Sequence, residues 1–243
     1  GALSPSHAIT AQGRRMLAIG THPRLAAMLL AAGTGAEQAL AADIAALLEA
    51  RDPLRQGGDA LAPRWRALAA FRNGRAPHEA NRSGLAAIDA AARQWRRRLR
   101  CDAAPPTSVE AHQLGDLLAH AFPDRIAARH PTDPLRYLLA NGRSARLFDP
   151  SDLRGEPWLV ASELRFEARE ALVLRAAPVD EAYLRKAFPV HFREGGLVKA
   201  GDLLVKIDPA PYEAAVAQAQ SLAKREFVEA ARAGGMTNWQ IIW

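Results

Sequence analysis

The chain has 243 residues, 49% apolar but only 6% aromatic, enough for one large or two small domains with thin, alanine-rich cores. A net charge of +6 and an isoelectric point near 10.1 point to anionic partners. The single Cys101 excludes an internal disulfide, and no run nears the roughly 18 apolar residues of a membrane span. With no basic-then-apolar signal at the start, the expectation is a cytoplasmic protein without membrane insertion.

Residues 1–20 read as a fragment of a hairpin, with a polar turn over Ser4–His7 followed by ITAQGRRMLAIG. Thr21 is placed to cap a helix over His22–Ala32, in which Leu25, Met28, Leu29 and Ala32 recur at helical spacing and Gly33 is the stop. A second helix is expected over Ala36–Arg51 with Leu40, Ile44, Leu47 and Leu48 as its stripe, and a third over Asp59–Arg72. The long helix over Glu79–Arg100 buries Leu85, Ile88, Ala92, Trp95 and Leu99, leaving Arg93, Arg96, Arg97, Arg98 and Arg100 on the other surface. Thr107 and Glu110 suggest a capping box for a fifth helix ending near Phe122.

From Ile126 the period changes to two. Tyr137, Leu139, Ala145 and Leu147 alternate around Asn141-Gly142, a pair suited to a tight hairpin turn. Trp158–Arg165 and Arg169–Ala176 make a second hairpin, and Asp180–Phe188 a short helix. The expected fold is therefore α+β: a helical bundle, then a small antiparallel sheet or partial barrel.

Charge is uneven along the chain. Residues 1–189 hold 26 Lys+Arg against 20 Asp+Glu, while residues 190–243 balance at six against six. No lysine precedes Lys186, and none follows Gly and precedes Ser or Thr, so the chain carries no P-loop. Arginine with abundant alanine is also what GC-rich coding produces, so charge alone does not name the partner.

Two clusters are candidates for nucleic acid. Trp95 with Arg96, Arg97, Arg98 and Arg100 suits a phosphate backbone, against the plainer reading of a solvated face with Trp95 in the core. Arg136, Tyr137, Asn141, Arg143 and Arg146 would present cations and one aromatic from a β-surface, although a tyrosine there is more often core. His22-Pro23-Arg24 reads as a helix start, and Asp124-Arg125 as a local ion pair at the bundle-to-sheet junction. Seven histidines with no i, i+4 pair and one cysteine make no zinc set, and no serine lies in a G-x-S-x-G elbow, so no catalytic, metal or cofactor site is expected.

The strings ITAQGRRMLAIGTHPRLAAMLL, LLEARDPLR, ARQWRRRLR, LAHAFPDRIA, RYLLANGRSARL and GEPWLVASEL resemble the accessory region of HrpB-type bacterial DEAH-box ATP-dependent RNA helicases. The resemblance spans residues 1–189. It implies a winged-helix remnant at 1–20, a ratchet-like helical bundle at 21–125 and an oligonucleotide-binding (OB) type β-domain at 126–189. It also implies single-stranded RNA or another nucleic acid as partner, and motor domains, with their ATP and magnesium, supplied in trans. The chain would then be a non-catalytic RNA-binding accessory region.

Residues 190–220, VHFREGGLVKAGDLLVKIDPAPYEAAVAQAQ, look like the lipoyl-like half-motif of periplasmic membrane-fusion adaptors of efflux pumps. Residues 221–243 resemble the coupling loop of peptide-type ABC permeases. Neither piece is complete, so the expected tail is an unfinished β/helical appendage and the chain reads as a mosaic. The alternatives are a protein-interaction fragment of a transport assembly or a composite product without a function of its own.

Overall fold

The structure, a computed structural model, describes residues 2–4, 7–167 and 170–188. The tail expected over 190–243 lies outside them. Among the described residues are seven α-helices and a five-stranded sheet closed into a small barrel.

The chain begins with a bridge between Leu3 and Ile9 and then turns helical over α1 (Ala11–Ile19). The expected hairpin is thus confined to the first ten residues. The Thr10 side chain accepts from the Gly13 amide at 3.0 Å and starts α1, and Gly20, at φ 70°, ends it. In α2 (Pro23–Ala31) the cap is not Thr21 but His22, whose Nδ1 accepts from the Arg24 amide at 3.2 Å. Thr21 instead donates to Glu49 Oε1 at 2.9 Å.

The α3 helix (Gly35–Glu49) opens on a capping box between Thr34 and Glu37 and is buried without a break from Ala39 to Leu47, more than the expected stripe. A helix surrounded on several sides is the center of the bundle. Around it lie α2, α4 (Ala62–Arg72), α5 (Arg82–Leu99) and α6 (Ala111–Ala121). α6 starts a turn later than expected: the Glu110 amide donates to Gln113 Oε1 at 3.0 Å, so the reciprocal pair is Glu110 with Gln113 rather than Thr107 with Glu110.

A 3₁₀ turn at Pro123–Arg125 leads into the barrel of β1 (Ile126–Arg129), β2 (Arg136–Leu139), β3 (Ser144–Arg146), β4 (Trp158–Phe166) and β5 (Ala171–Pro178). The order β1-β2-β3-β5-β4 closes through β4 and β1, and every pairing is antiparallel except β3 with β5. That parallel pairing corrects the expectation of an all-antiparallel sheet, because closing the barrel lays β5 alongside β3 in the same direction. Leu139, Ala145, Leu147, Leu159, Ala161, Val173 and Tyr137 fill the interior. Gly142, at φ 82°, makes the turn between β2 and β3.

Beyond the packing of α6 on β4 and β5, bundle and barrel are tied together in two places. Asp59–Leu61 was expected to begin the third helix, but Ala60 instead bridges to Ala176 of β5: Leu61 donates to the Ala176 carbonyl and Ala176 to the Asp59 carbonyl, both at 2.8 Å. Arg64 holds that segment by donating to the carbonyls of Gly57, Gly58 and Ala60 and to Asp52. At the second junction Asp124 pairs with Arg125 at 3.8 Å, as expected, but its closer partner is Arg24 of α2, at 2.5 Å.

The short α7 (Glu181–Ala187) lies on α6, where Asp116 accepts from the Asp180 amide at 3.1 Å. Burial pushes the Asp116 carboxyl up from 3.8 to about 6. The folded chain then holds a proton that the unfolded chain has released across that interval, so this group's contribution to stability declines as pH rises from about 4 to about 6. Asp116→Asn should raise the thermal midpoint near pH 7 and change it little near pH 4. Identical pH profiles for the two proteins would contradict this account.

Candidate nucleic-acid interface

Asn81 caps α5, its side chain accepting from the Gly84 amide at 3.1 Å. Leu85, Ile88, Asp89, Ala92 and Trp95 then face inward, as their spacing requires. Leu99 is half-buried. Trp95 is only 7% exposed and donates its indole N–H to Glu49 Oε2 at 3.2 Å, so the ring belongs to the core and offers no face to a base.

The arginines of α5 divide into two sets. Arg96 is committed inward to Asp43 Oδ1 at 3.3 Å, and burial pulls its guanidinium down from the ordinary arginine value. Arg98 lies over the Trp95 ring at 4.8 Å and donates to the Ile19 carbonyl at 3.1 Å. Arg93 pairs with Asp89 at 3.1 Å. Arg97 and Arg100 are exposed and have no carboxylate partner among the described residues. Of the four arginines expected at this site, Arg97, Arg98 and Arg100 thus keep a charge that no carboxylate among the described residues neutralises, and Arg98 is tethered by the ring and the carbonyl.

The reason lies at Asp43 on α3, a carboxylate with no exposed surface. Arg72 of α4 grips it with two hydrogen bonds at 2.7 and 2.6 Å, and Trp65 and Arg96 add theirs at 3.2 and 3.3 Å. The Nε of Arg72 reaches Asp89 of α5 at 2.7 Å, and these contacts raise the Arg72 guanidinium against the opposing effect of its burial. A buried charge must be paired and hydrogen-bonded to persist, and this one recruits arginines from two helices.

On the barrel, Tyr137 is 1% exposed and donates its hydroxyl to the carbonyls of Glu156 at 2.9 Å and Leu153 at 3.2 Å. Burial pushes its phenol up to about 12. It is an interior residue, which removes it from the candidate surface. Asn141 shapes the turn, its Oδ1 accepting from the Arg143 amide at 3.1 Å. Arg136 pairs with Glu170 at 3.5 Å and Arg146 with Asp133 at 3.4 Å, both partly exposed. Arg143 is exposed, without a carboxylate partner among the described residues, and its guanidinium sits 5.1 Å from the center of the Phe166 ring.

Phe166 is 51% exposed and Phe148 is 45% exposed. Sequence reasoning missed both. The strand was expected to stop at Arg165, and the only available signal was one more aromatic beyond that stop.

Elsewhere the polar chemistry is structural. His120 Nε2 lies 2.7 Å from the Tyr183 hydroxyl and its ring packs on Phe188, tying α7 to α6. Cys101 donates from Sγ to the Gly35 carbonyl at 3.3 Å. Among the described residues no group of three or more His, Cys, Asp or Glu converges as metal ligands, and no helix is long and apolar enough to cross a membrane.

No family model matches the chain. The ATP-dependent RNA helicase HrpB of Escherichia coli (strain K12) is 33% identical over 218 residues, covering 83% of this chain and 24% of that protein. A crystal structure of the E. coli DExH-box NTPase HrpB matches with a TM-score of 0.61 at 34% identity, over 78% of this chain and 21% of that one. A second, of the Escherichia coli DEAH/RHA helicase HrpB, has a TM-score of 0.57 at 35% identity, over 74% of this chain and 20% of that one. The multidrug resistance protein MdtA of Yersinia pestis (strain Pestoides F) is 64% identical, but over 31 residues, 13% of this chain and 7% of that protein. The chain thus spans about a quarter of the length of the helicase that it matches.

Proposed function

Because this chain is homologous, over most of its length, to a segment of the HrpB-type DEAH-box RNA helicases, we propose that it is a nucleic-acid-binding accessory region that serves a helicase motor. In this reading it works in the cytoplasm on single-stranded RNA, and nucleotide hydrolysis, with its ATP and magnesium, takes place on the motor. The barrel's order, with β5 between β3 and β4 and one parallel pairing, supports an oligonucleotide-binding type of β-domain.

The observation that carries the proposal is that, of the arginines in the two candidate clusters, Arg97, Arg98 and Arg100 at the end of α5 and Arg143 on the barrel are exposed and have no carboxylate partner among the described residues. Such charges displace counterions from a phosphate backbone, and each contact with a single strand contributes about −0.7 to the slope of log affinity against log salt. Changing Arg97, Arg100 and Arg143 together to Gln should flatten that slope by about two. Arg96→Gln should instead lower stability, since Arg96 serves Asp43. Fluorescence anisotropy with labelled single-stranded RNA measures the slope. Binding that ignores salt, or no binding at about 50 mM salt, would refute the proposal.

A second reading rests on the MdtA match, which favors a protein-interaction fragment of a transport assembly within a composite chain. Its test is a pull-down with residues 190–243 alone. Recovery of no partner would end it.

A further inference from the structure

We propose that Phe166 and Arg143 form a stacking platform that makes the barrel select single-stranded over double-stranded nucleic acid, an inference that rests on the nucleic-acid reading above. Among the described residues the exposed large hydrophobic side chains are Ile9, Leu17, Phe148 and Phe166, and both aromatic ones belong to the barrel segment. An isolated exposed phenylalanine is ordinary. Phe166 differs in its surroundings.

It ends β4 opposite Ala171 of β5, which itself pairs with Ala145 of β3, so it shares one end of the sheet with the turn that carries Arg143. The Arg143 guanidinium covers the ring at 5.1 Å. No carboxylate among the described residues competes for that guanidinium, whereas the neighboring Arg165 is neutralized by Glu167 at 3.4 Å. A cation resting on an aromatic face has the geometry in which a nucleobase is accepted: the base slides onto the ring, and the guanidinium stacks on its far side or moves to the adjoining phosphate.

Strand selectivity follows from which faces are available. A duplex keeps its base faces inside its own stack, so only an unpaired base can reach Phe166. Trp95 and Tyr137, the rings expected from the sequence, are buried, and Phe148, although exposed, has no cation over it among the described residues. Phosphate contacts alone distinguish the two forms far less, since both carry a charged backbone.

The test uses the full chain, a labelled oligouridine and a labelled RNA duplex, titrated by anisotropy at several salt concentrations. Phe166→Ala should weaken oligouridine binding on the order of tenfold, leave its salt slope unchanged and leave duplex binding unchanged. Phe166→Trp should retain the affinity, which separates stacking from a folding defect. Arg143→Gln should flatten the salt slope by roughly 0.7. Oligouridine binding indifferent to both Phe166 substitutions, or an equal loss on the duplex, overturns the platform alone. No binding of either probe by the unaltered chain overturns the nucleic-acid reading and the platform with it.

Discussion

Replacing Asp43 with Ala should destabilize the protein by about 3–5 kcal/mol, the usual cost of leaving a buried charge without its partner. The carboxylate has no exposed surface and collects hydrogen bonds from Arg72, Arg96 and Trp65. Truncation would strand all three donors, and Arg72 would keep only Asp89. Its position makes the loss global, because the three elements meeting at this point, α3, α4 and α5, are the middle of the bundle. In denaturant titrations the midpoint should fall with little change in slope, as for a loss of stability without a change of native compactness. A paired change of Asp43 to Leu and Arg72 to Met should recover only the part of the loss that comes from stranding Arg72, since Arg96 and Trp65 still lose their acceptor and Asp89 loses Arg72. A single-variant loss under about 1 kcal/mol would mean that the charges are solvated.

Gly115→Ala should also destabilize, although helix propensity alone predicts a gain of up to about 1 kcal/mol for that exchange. The added methyl would lie 1.9 Å from the Pro178 carbonyl oxygen and 2.7 Å from its carbon. Both atoms are backbone at the end of β5, so no side chain can swing away. Helix α6 would have to lift off the barrel. We expect a net loss of about 1–3 kcal/mol, in line with overpacked cores, visible as a lower thermal midpoint. A stabilized variant would show that the junction between α6 and β5 is slack.

What the sequence made legible was what local patterning controls. Leu85, Ile88, Ala92 and Trp95 fell inward because a helix of that period has one apolar face, and Tyr137, Leu139, Ala145 and Leu147 filled the barrel because strands alternate. The outward placement of Arg97, Arg98 and Arg100 was equally legible. What each arginine does was not, because Asp43 lies far upstream and looks like an ordinary polar position on its helix. The parallel pairing of β3 with β5 is a long-range choice that neither strand's pattern encodes. The α1 helix escaped notice because Gln12, Gly13, Arg14 and Arg15 make no apolar stripe, although Thr10 and Gly20 marked its two ends. Phe166 was missed because exposure, unlike periodicity, depends on what the rest of the fold declines to cover.

The bridge that the Asp59–Leu61 segment makes to β5 has a consequence for how the chain comes into being. Its hydrogen-bonding partner, Ala176, is made long after it during synthesis from the amino terminus, so the edge preceding α4 must wait, its amide and carbonyl served by water, until β5 emerges. Buried nearby, Asp59 is 5% exposed, its Oδ2 lacks a hydrogen-bond partner among the described residues, and burial raises its carboxyl. The nascent helices therefore cannot reach their final state alone: the last strand of the barrel is what completes the first half of the molecule.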